Sequence, residues 1–285
     1  MKRILALAFF VLMSGLLHAT NVTLDLYINR GLMQTVNGST FPALSFNASP
    51  LFSGINATIQ LNSGDSLQVM VHNTDTASHA FTVKGLTGSL SIAPADSAEY
   101  IGYFPLDGAY VFYDPSAANT NRYMGLAGQI MVLSSATASN YGWNLKDHES
   151  AFNQALANGN AVDWNQYEPD FFTVNGLSYP DIDNDPLAHI DEPQGQVYRI
   201  YISNTGQSKH SIHLHGFHGR VIHSSASNMQ VNSSKDTFPI RSMESVVIEI
   251  IPDKVGRYSV HDHNLVAIAA AGLHPNGMFT IMNIH

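Results

Sequence analysis

Short runs of β-branched and aromatic residues, separated at close intervals by Gly, Asn, Asp and Pro, dominate the chain. In the first half they fall at Thr23–Ile28, Ala57–Leu61, Ser66–Val71, Ala80–Val83, Ala109–Tyr113 and Gln129–Leu133. The second half repeats the habit at Phe171–Val174, Val197–Ile202, Ser211–His215, Ser245–Ile251, Arg257–His261 and Phe279–Asn283. Many short strands with turn residues between them predict an all-β chain of antiparallel sandwiches or barrels. Helical periodicity occurs only at Glu149–Ala157, where Asn158-Gly159 supplies a stop signal. The surrounding stretch is poor in apolar residues and reads as a connection.

An internal repeat divides the chain into two domains. The segment from Gly64 through Asn73-Thr74 and His79 to Gly85 aligns without a gap on Gly195 through Asn204-Thr205 and His210 to Gly216. Further on, Gly108-Ala109-Tyr110-Val111-Phe112-Tyr113-Asp114 matches Gly256-Arg257-Tyr258-Ser259-Val260-His261-Asp262. The expected organisation is a first domain over 20–134, a linker with a short helix over 135–170, and a second domain over 171–285.

The N-terminus carries Lys2-Arg3, an apolar run from Ile4 to Leu17, and Ala19 as a cleavage residue, which is the pattern of a signal peptide over 1–19. The run is too short to span a bilayer, and no later segment is long and apolar enough, so a secreted or periplasmic protein without a membrane span is expected. A net charge of −9 with no cluster of basic residues argues against a nucleic-acid partner. The chain has 14 His and no Cys. Disulfides, thiolate zinc sites, iron–sulfur clusters and a blue-copper centre, which needs a thiolate, are thereby excluded.

Six of the histidines sit in two short segments of the second repeat: His210-Ser211-Ile212-His213-Leu214-His215 with His218 following, and His261-Asp262-His263. Strand side chains alternate with period two, so His213 and His215 share a face, as do His261 and His263. On neighbouring strands the four imidazoles would converge, a ligand set suited to copper or zinc. His210 and Asp262 project to the opposite side, where they can bond each other in the domain interior. His79, the counterpart of His210, reads as structural. The alternating carboxylates of Asp181-Ile182-Asp183-Asn184-Asp185 resemble a calcium loop, but Pro186 stands where its turn needs Gly, so an acidic surface turn is expected.

These two histidine segments resemble the C-terminal copper motifs of the multicopper oxidase and copper nitrite reductase superfamily, His-Pro-x-His-x-His-Gly and His-Cys-His. Phe172-Thr173-Val174-Asn175-Gly176, Gly125-Leu126-Ala127-Gly128 and His263-Asn264-Leu265 support the resemblance. It implies two cupredoxin-like Greek-key β-sandwich domains in tandem and copper as cofactor. Also implied are a homotrimer, a small-molecule or protein redox partner, and oxidoreductase activity. By the resemblance His213, His215, His261 and His263 are cluster ligands, and His210 is the surviving member of the blue-copper set.

The departures narrow that picture. The first-domain positions that complete the family's cluster read Thr82 and Lys84, then Tyr113 and Pro115. Asp262 stands where the family has its Cys and Ala267 where it usually has a second His, with His274 and Gly277-Met278 beyond. The expectation is therefore an all-His, type-2-like copper site in the second domain without blue-copper electron transfer. The alternative is a non-catalytic scaffold that binds a protein partner.

Overall fold

The computed structural model describes residues 19–134, 138–226 and 229–285. The signal segment lies outside the described residues except for Ala19. In the first domain the strands are β1 (Asn21–Gln34), β2 (Thr40–Asn47), β3 (Thr58–Asn62), β4 (Asp65–Asn73), β5 (His79–Val83), β6 (Ser89–Ile92), β7 (Ser97–Phe104), β8 (Gly108–Tyr113) and, after the short helix α1 (Thr120–Met124), β9 (Ala127–Leu133). They form two sheets, ordered β2-β1-β4-β7 and β3-β9-β8-β5-β6. The chain crosses between the sheets in the Greek-key manner. Alternation drives the packing: in β4, Leu67, Val69 and Val71 are buried, while Ser66, Gln68, Met70 and His72 face outward.

The second domain repeats this plan with β10 (Ser139–His148), helix α2 (Ser150–Ala157), β11 (Phe171–Val174), β12 (Asp191–Glu192), β13 (Tyr198–Asn204), β14 (His210–Leu214), β15 (Gly219–Ser224), β16 (Ser234–Lys235), β17 (Thr237–Ile240), β18 (Ser245–Ile250), β19 (Gly256–Asp262) and β20 (Phe279–Ile284). The sheets run β11-β10-β13-β18-β15-β16 and β12-β20-β19-β14-β17. Strand for strand, β11-β10-β13-β18 follows β2-β1-β4-β7, and β12-β20-β19-β14-β17 follows β3-β9-β8-β5-β6. The sequence repeat is therefore a repeat of topology.

One boundary differs from the sequence reading. The stretch expected as a linker contains β10, a ten-residue strand that pairs in parallel with β13 from Ser139↔Tyr198 to Leu145↔Asn204. It is the second domain's equivalent of β1, so that domain begins near Ser139 rather than at 171. Its low hydrophobicity hid it. Asn144, Lys146, Asp147 and His148 are all buried, and most of their polar groups find partners. Asn144 accepts from Thr205, and Lys146 donates to the Arg122 carbonyl at 3.0 Å. The expected helix is present as α2.

The two domains pack sheet against sheet. Ala109 and Met131 meet Tyr201 and Val247 in a small apolar cluster. Hydrogen bonds stitch its edges: the Gln129 amide donates to the Tyr201 carbonyl at 2.7 Å, and Ser245 Oγ to the Ala109 carbonyl at 2.6 Å. Arg122 reaches across to the carbonyls of Thr205 and Gly206 at 3.0 and 3.1 Å.

Candidate metal centre

Strands β14 and β19 are antiparallel neighbours with His213 opposite His261. Alternation buries Ile212, Leu214, Val260 and Asp262 and turns His213, His215, His261 and His263 to the outer face of the sheet. The ring centroid of His213 lies 4.8, 5.6 and 5.5 Å from those of His215, His261 and His263, and His215 lies 5.1 Å from His261. The four histidines singled out in the sequence thus do share one face. A surface cleft of about 330 Å³ opens beside His213 and His215, lined also by Phe217, His218 and Asp236.

The tautomers are set by the bonds made by the second nitrogen of each ring. His261 Nδ1 donates to the Asp262 carbonyl at 2.8 Å, leaving a lone pair on Nε2. His213 Nδ1 donates to Thr237 Oγ1 at 2.9 Å, beside the Asp236 carbonyl at 3.2 Å. The Thr237 hydroxyl in turn donates to Asp236 Oδ1 at 3.1 Å. His213 is thereby held with Nε2 unprotonated by a hydroxyl–carboxylate chain that sequence reasoning missed, since neither Asp236 nor Thr237 carries a motif.

His215 Nε2 and His261 Nε2 face each other at 3.0 Å. Two imidazole nitrogens bound to one ion at about 2.0–2.1 Å stand about 2.8–3.4 Å apart according to the angle between the bonds, a range that includes this spacing. A proton donated by His215 Nε2 to His261 Nε2 closes the pair. Burial, and then the neighbouring His213 and His261, push the His215 imidazole below its ordinary value, keeping it neutral and available as a ligand. Among the described residues no group of three or more His, Asp or Glu side chains is already gathered round one point. The residues fit a metal as a preset pair, His215 and His261, with His213 and His263 beside it.

His210 does not join them. It lies on the buried face, Nδ1 against Asp262 Oδ2 at 2.6 Å and Nε2 against Asp147 Oδ1 at 3.3 Å. With both nitrogens engaged by carboxylates, neither is offered to a metal, which corrects its place in the candidate set. Burial opposes its charge, but the hydrogen bonds and charges of Asp147 and Asp262 outweigh this and push the imidazole up to about 9. The first domain holds the same arrangement: His79 Nδ1 meets Asp114 Oδ2 at 2.9 Å and Nε2 meets Asp75 Oδ2 at 2.8 Å. His79 and Asp114 are the repeat counterparts of His210 and Asp262. Each domain thus carries a buried imidazolium between two carboxylates, and in the second domain His210 and Asp262 stand where the resemblance places a blue-copper ligand pair.

Asp147 is the member with no sequence signal. It comes from β10 and also accepts from the amides of Gln207 and Ser208 and from the Tyr167 hydroxyl. The loop can approach because Gly206 has no side chain: a Cβ there would collide with Asp147 Oδ1. Gly206→Ala is expected to cost about 1–3 kcal/mol through overpacking, read as a lower denaturation midpoint; an unchanged midpoint would remove the packing argument.

The vacated first-domain positions are used otherwise. Thr82 pairs with Tyr113 across β5 and β8, as His213 pairs with His261. Thr82 Oγ1 donates to the Gly88 carbonyl at 2.7 Å, and Lys84 crosses the seam to donate to the Met243 carbonyl at 2.5 Å. Met278 is buried in the second core and its carbonyl accepts from the Asp262 amide at 3.1 Å, while His274 is exposed. In the acidic turn, Asp183 accepts from Thr280 and Asp185 from Asn175, so these two carboxylates serve separate partners.

Residues 150–275 match the multicopper oxidase family. No curated protein sequence matches the chain. Among solved structures it is similar to a blue copper oxidase from Nitrosomonas europaea, with a TM-score of 0.78 and 20% identity over 93% of this chain and 86% of that one. A copper nitrite reductase from the same organism gives 0.71 and 17% over 93% and 94%. A laccase from Botrytis aclada gives 0.70 and 17% over 93% of this chain and 53% of that one. At these identities the structures establish the fold alone. Taken with the sequence match, they show a two-domain chain of the cupredoxin-like fold shared by multicopper oxidases and copper nitrite reductases, whose residues 150–275 match the multicopper oxidase family and which contains no cysteine.

Proposed function

We propose that the chain is an exported copper-binding protein in which His213, His215, His261 and His263 hold a type-2-like centre that supports oxidoreductase chemistry without a blue-copper site. The observation that carries this is the His215–His261 pair, whose nitrogens face each other at 3.0 Å on an open face. Bound copper would supply a one-electron redox centre. The chain's own part is to present imidazole nitrogens on one face and to hold a proton on His213 Nδ1 through Thr237 and Asp236. With no thiolate relay, reducing equivalents would come from a small-molecule or protein redox partner at the cleft. The exposed Leu265 and Val266, directly after His263-Asn264, give an apolar rim suited to a neighbouring copy in a homotrimer.

The test is metal analysis with electron paramagnetic resonance of the purified, copper-loaded protein. One copper per chain with a type-2 signal and no intense visible band is expected, since that band requires a thiolate. Metal-free protein after loading would sink the proposal. The second reading, a scaffold for a protein partner, draws on the first domain, where Thr82 and Lys84 have become ordinary structural contacts.

A further inference from the structure

A cavity of about 240 Å³ opens at the seam between the domains, lined from β8 of the first and from β15 and β18 of the second. Lys84, Tyr110, His223, Ser225, Met243 and Ser245 line it. His223 is aimed into it by a bulge in β15, where the register with β18 shifts between Val221 and His223. Its ring lies against Gly108, where a Cβ would come within 2.9 Å of the imidazole, and 6.3 Å from the Tyr110 ring. Gly108 (φ +150°) is therefore required both for its backbone and for the seat of this ring.

The polar groups of the cavity are unevenly satisfied. Ser225 and Ser245 are engaged, Ser245 Oγ with the Ala109 carbonyl at 2.6 Å and Ser225 Oγ with the Ser245 amide at 2.7 Å. Neither ring nitrogen of His223 has a hydrogen-bond partner among the described residues. Burial holds that imidazole below its ordinary value, with Asp107 pulling the other way, so it is neutral and offers one N–H. Lys84 uses one of its three donors on Met243. Among the described residues no carboxylate lines the cavity; Asp107, whose charge acts on the His223 imidazole, lies outside the lining.

We propose that this seam binds a short-chain monocarboxylate, with Lys84 as its countercharge and His223 as a hydrogen-bond donor. The volume sits below the roughly 300–1,000 Å³ of drug-sized ligand sites, which selects a small anion. Charge-assisted bonds from an ammonium and an imidazole N–H to a carboxylate are the strong class of hydrogen bond. Because Lys84 and Tyr110 belong to the first domain and His223 to the second, the ligand would bridge the two.

Sodium butyrate titrated into the full chain, against sodium chloride at equal ionic strength, tests this through the amide resonances of Gly108 and Ser225. Saturable shifts with butyrate and none with chloride are expected. Lys84→Met should weaken binding about tenfold or more, as for loss of a hydrogen bond to a charged group, and Lys84→Arg should restore part of it. His223→Phe, which keeps the ring packing, should weaken it as well. No saturable shift in the wild type, or wild-type affinity retained in both Lys84→Met and His223→Phe, would overturn the assignment.

Discussion

Replacing His210 with Leu is expected to destabilise the second domain by about 3–5 kcal/mol, the cost of leaving a buried charge uncompensated. His210, Asp147 and Asp262 have no exposed side-chain surface. Removing the imidazolium leaves two buried carboxylates facing each other. The pH dependence identifies the mechanism. A folded value of about 9 against 6.5 for the free group means the stabilisation is complete below about pH 6.5. It is lost as pH rises through 9, for a total of roughly 3 kcal/mol. Lys146 contributes with the opposite sign, because burial, then the nearby Arg122, pushes its amine down to about 7 and raising the pH relieves that cost. The His79 triad adds a slope of the same sign as His210. The decisive quantity is therefore the difference between wild type and His210→Leu in guanidinium unfolding at pH 6, 8 and 10. It should shrink by roughly 3 kcal/mol over that range. A difference independent of pH would mean His210 matters only for packing.

Copper is expected to raise the melting temperature of the wild type by roughly 5–10 °C at a hundredfold excess over its dissociation constant. Mass action supplies about 2.7 kcal/mol at that ratio, and each kcal/mol moves the midpoint of a chain of this size by about 2–4 °C. The variant with His213, His215, His261 and His263 all changed to Ala should show no rise. Since two of the four are exposed and two half-buried on the outer face, the variant should otherwise melt close to the wild type. An equal rise in both proteins would place the metal elsewhere, and no rise in the wild type would favour the scaffold reading.

Much of this molecule was legible in the sequence because its physics is local. Short runs of β-branched and aromatic residues marked β4, β8, β13 and β14, and the aligned Gly, Asn and His positions announced a repeat that the two topologies reproduce. The period-two alternation of strand side chains separated His213 and His215 from His210, and His261 and His263 from Asp262. What escaped was buried polarity. β10 reads as a linker because Asn144, Lys146, Asp147 and His148 look like surface residues, and only their tertiary partners make burial tolerable.

Residue order alone carried the strand pattern, the duplication, the absence of a thiolate and the faces of His210, His213, His215, His261 and His263, the faces because strand side chains alternate from one position to the next. Only the tertiary structure decided that His210 is closed off as an imidazolium. The carboxylate completing that arrangement, Asp147, is 63 residues distant in the chain. It also decided that Lys84 ties the domains together, and that His215 and His261 stand at 3.0 Å while His213 and His263 stand beside them. Such distances are set by strand register and by the packing of whole sheets, which no local pattern encodes.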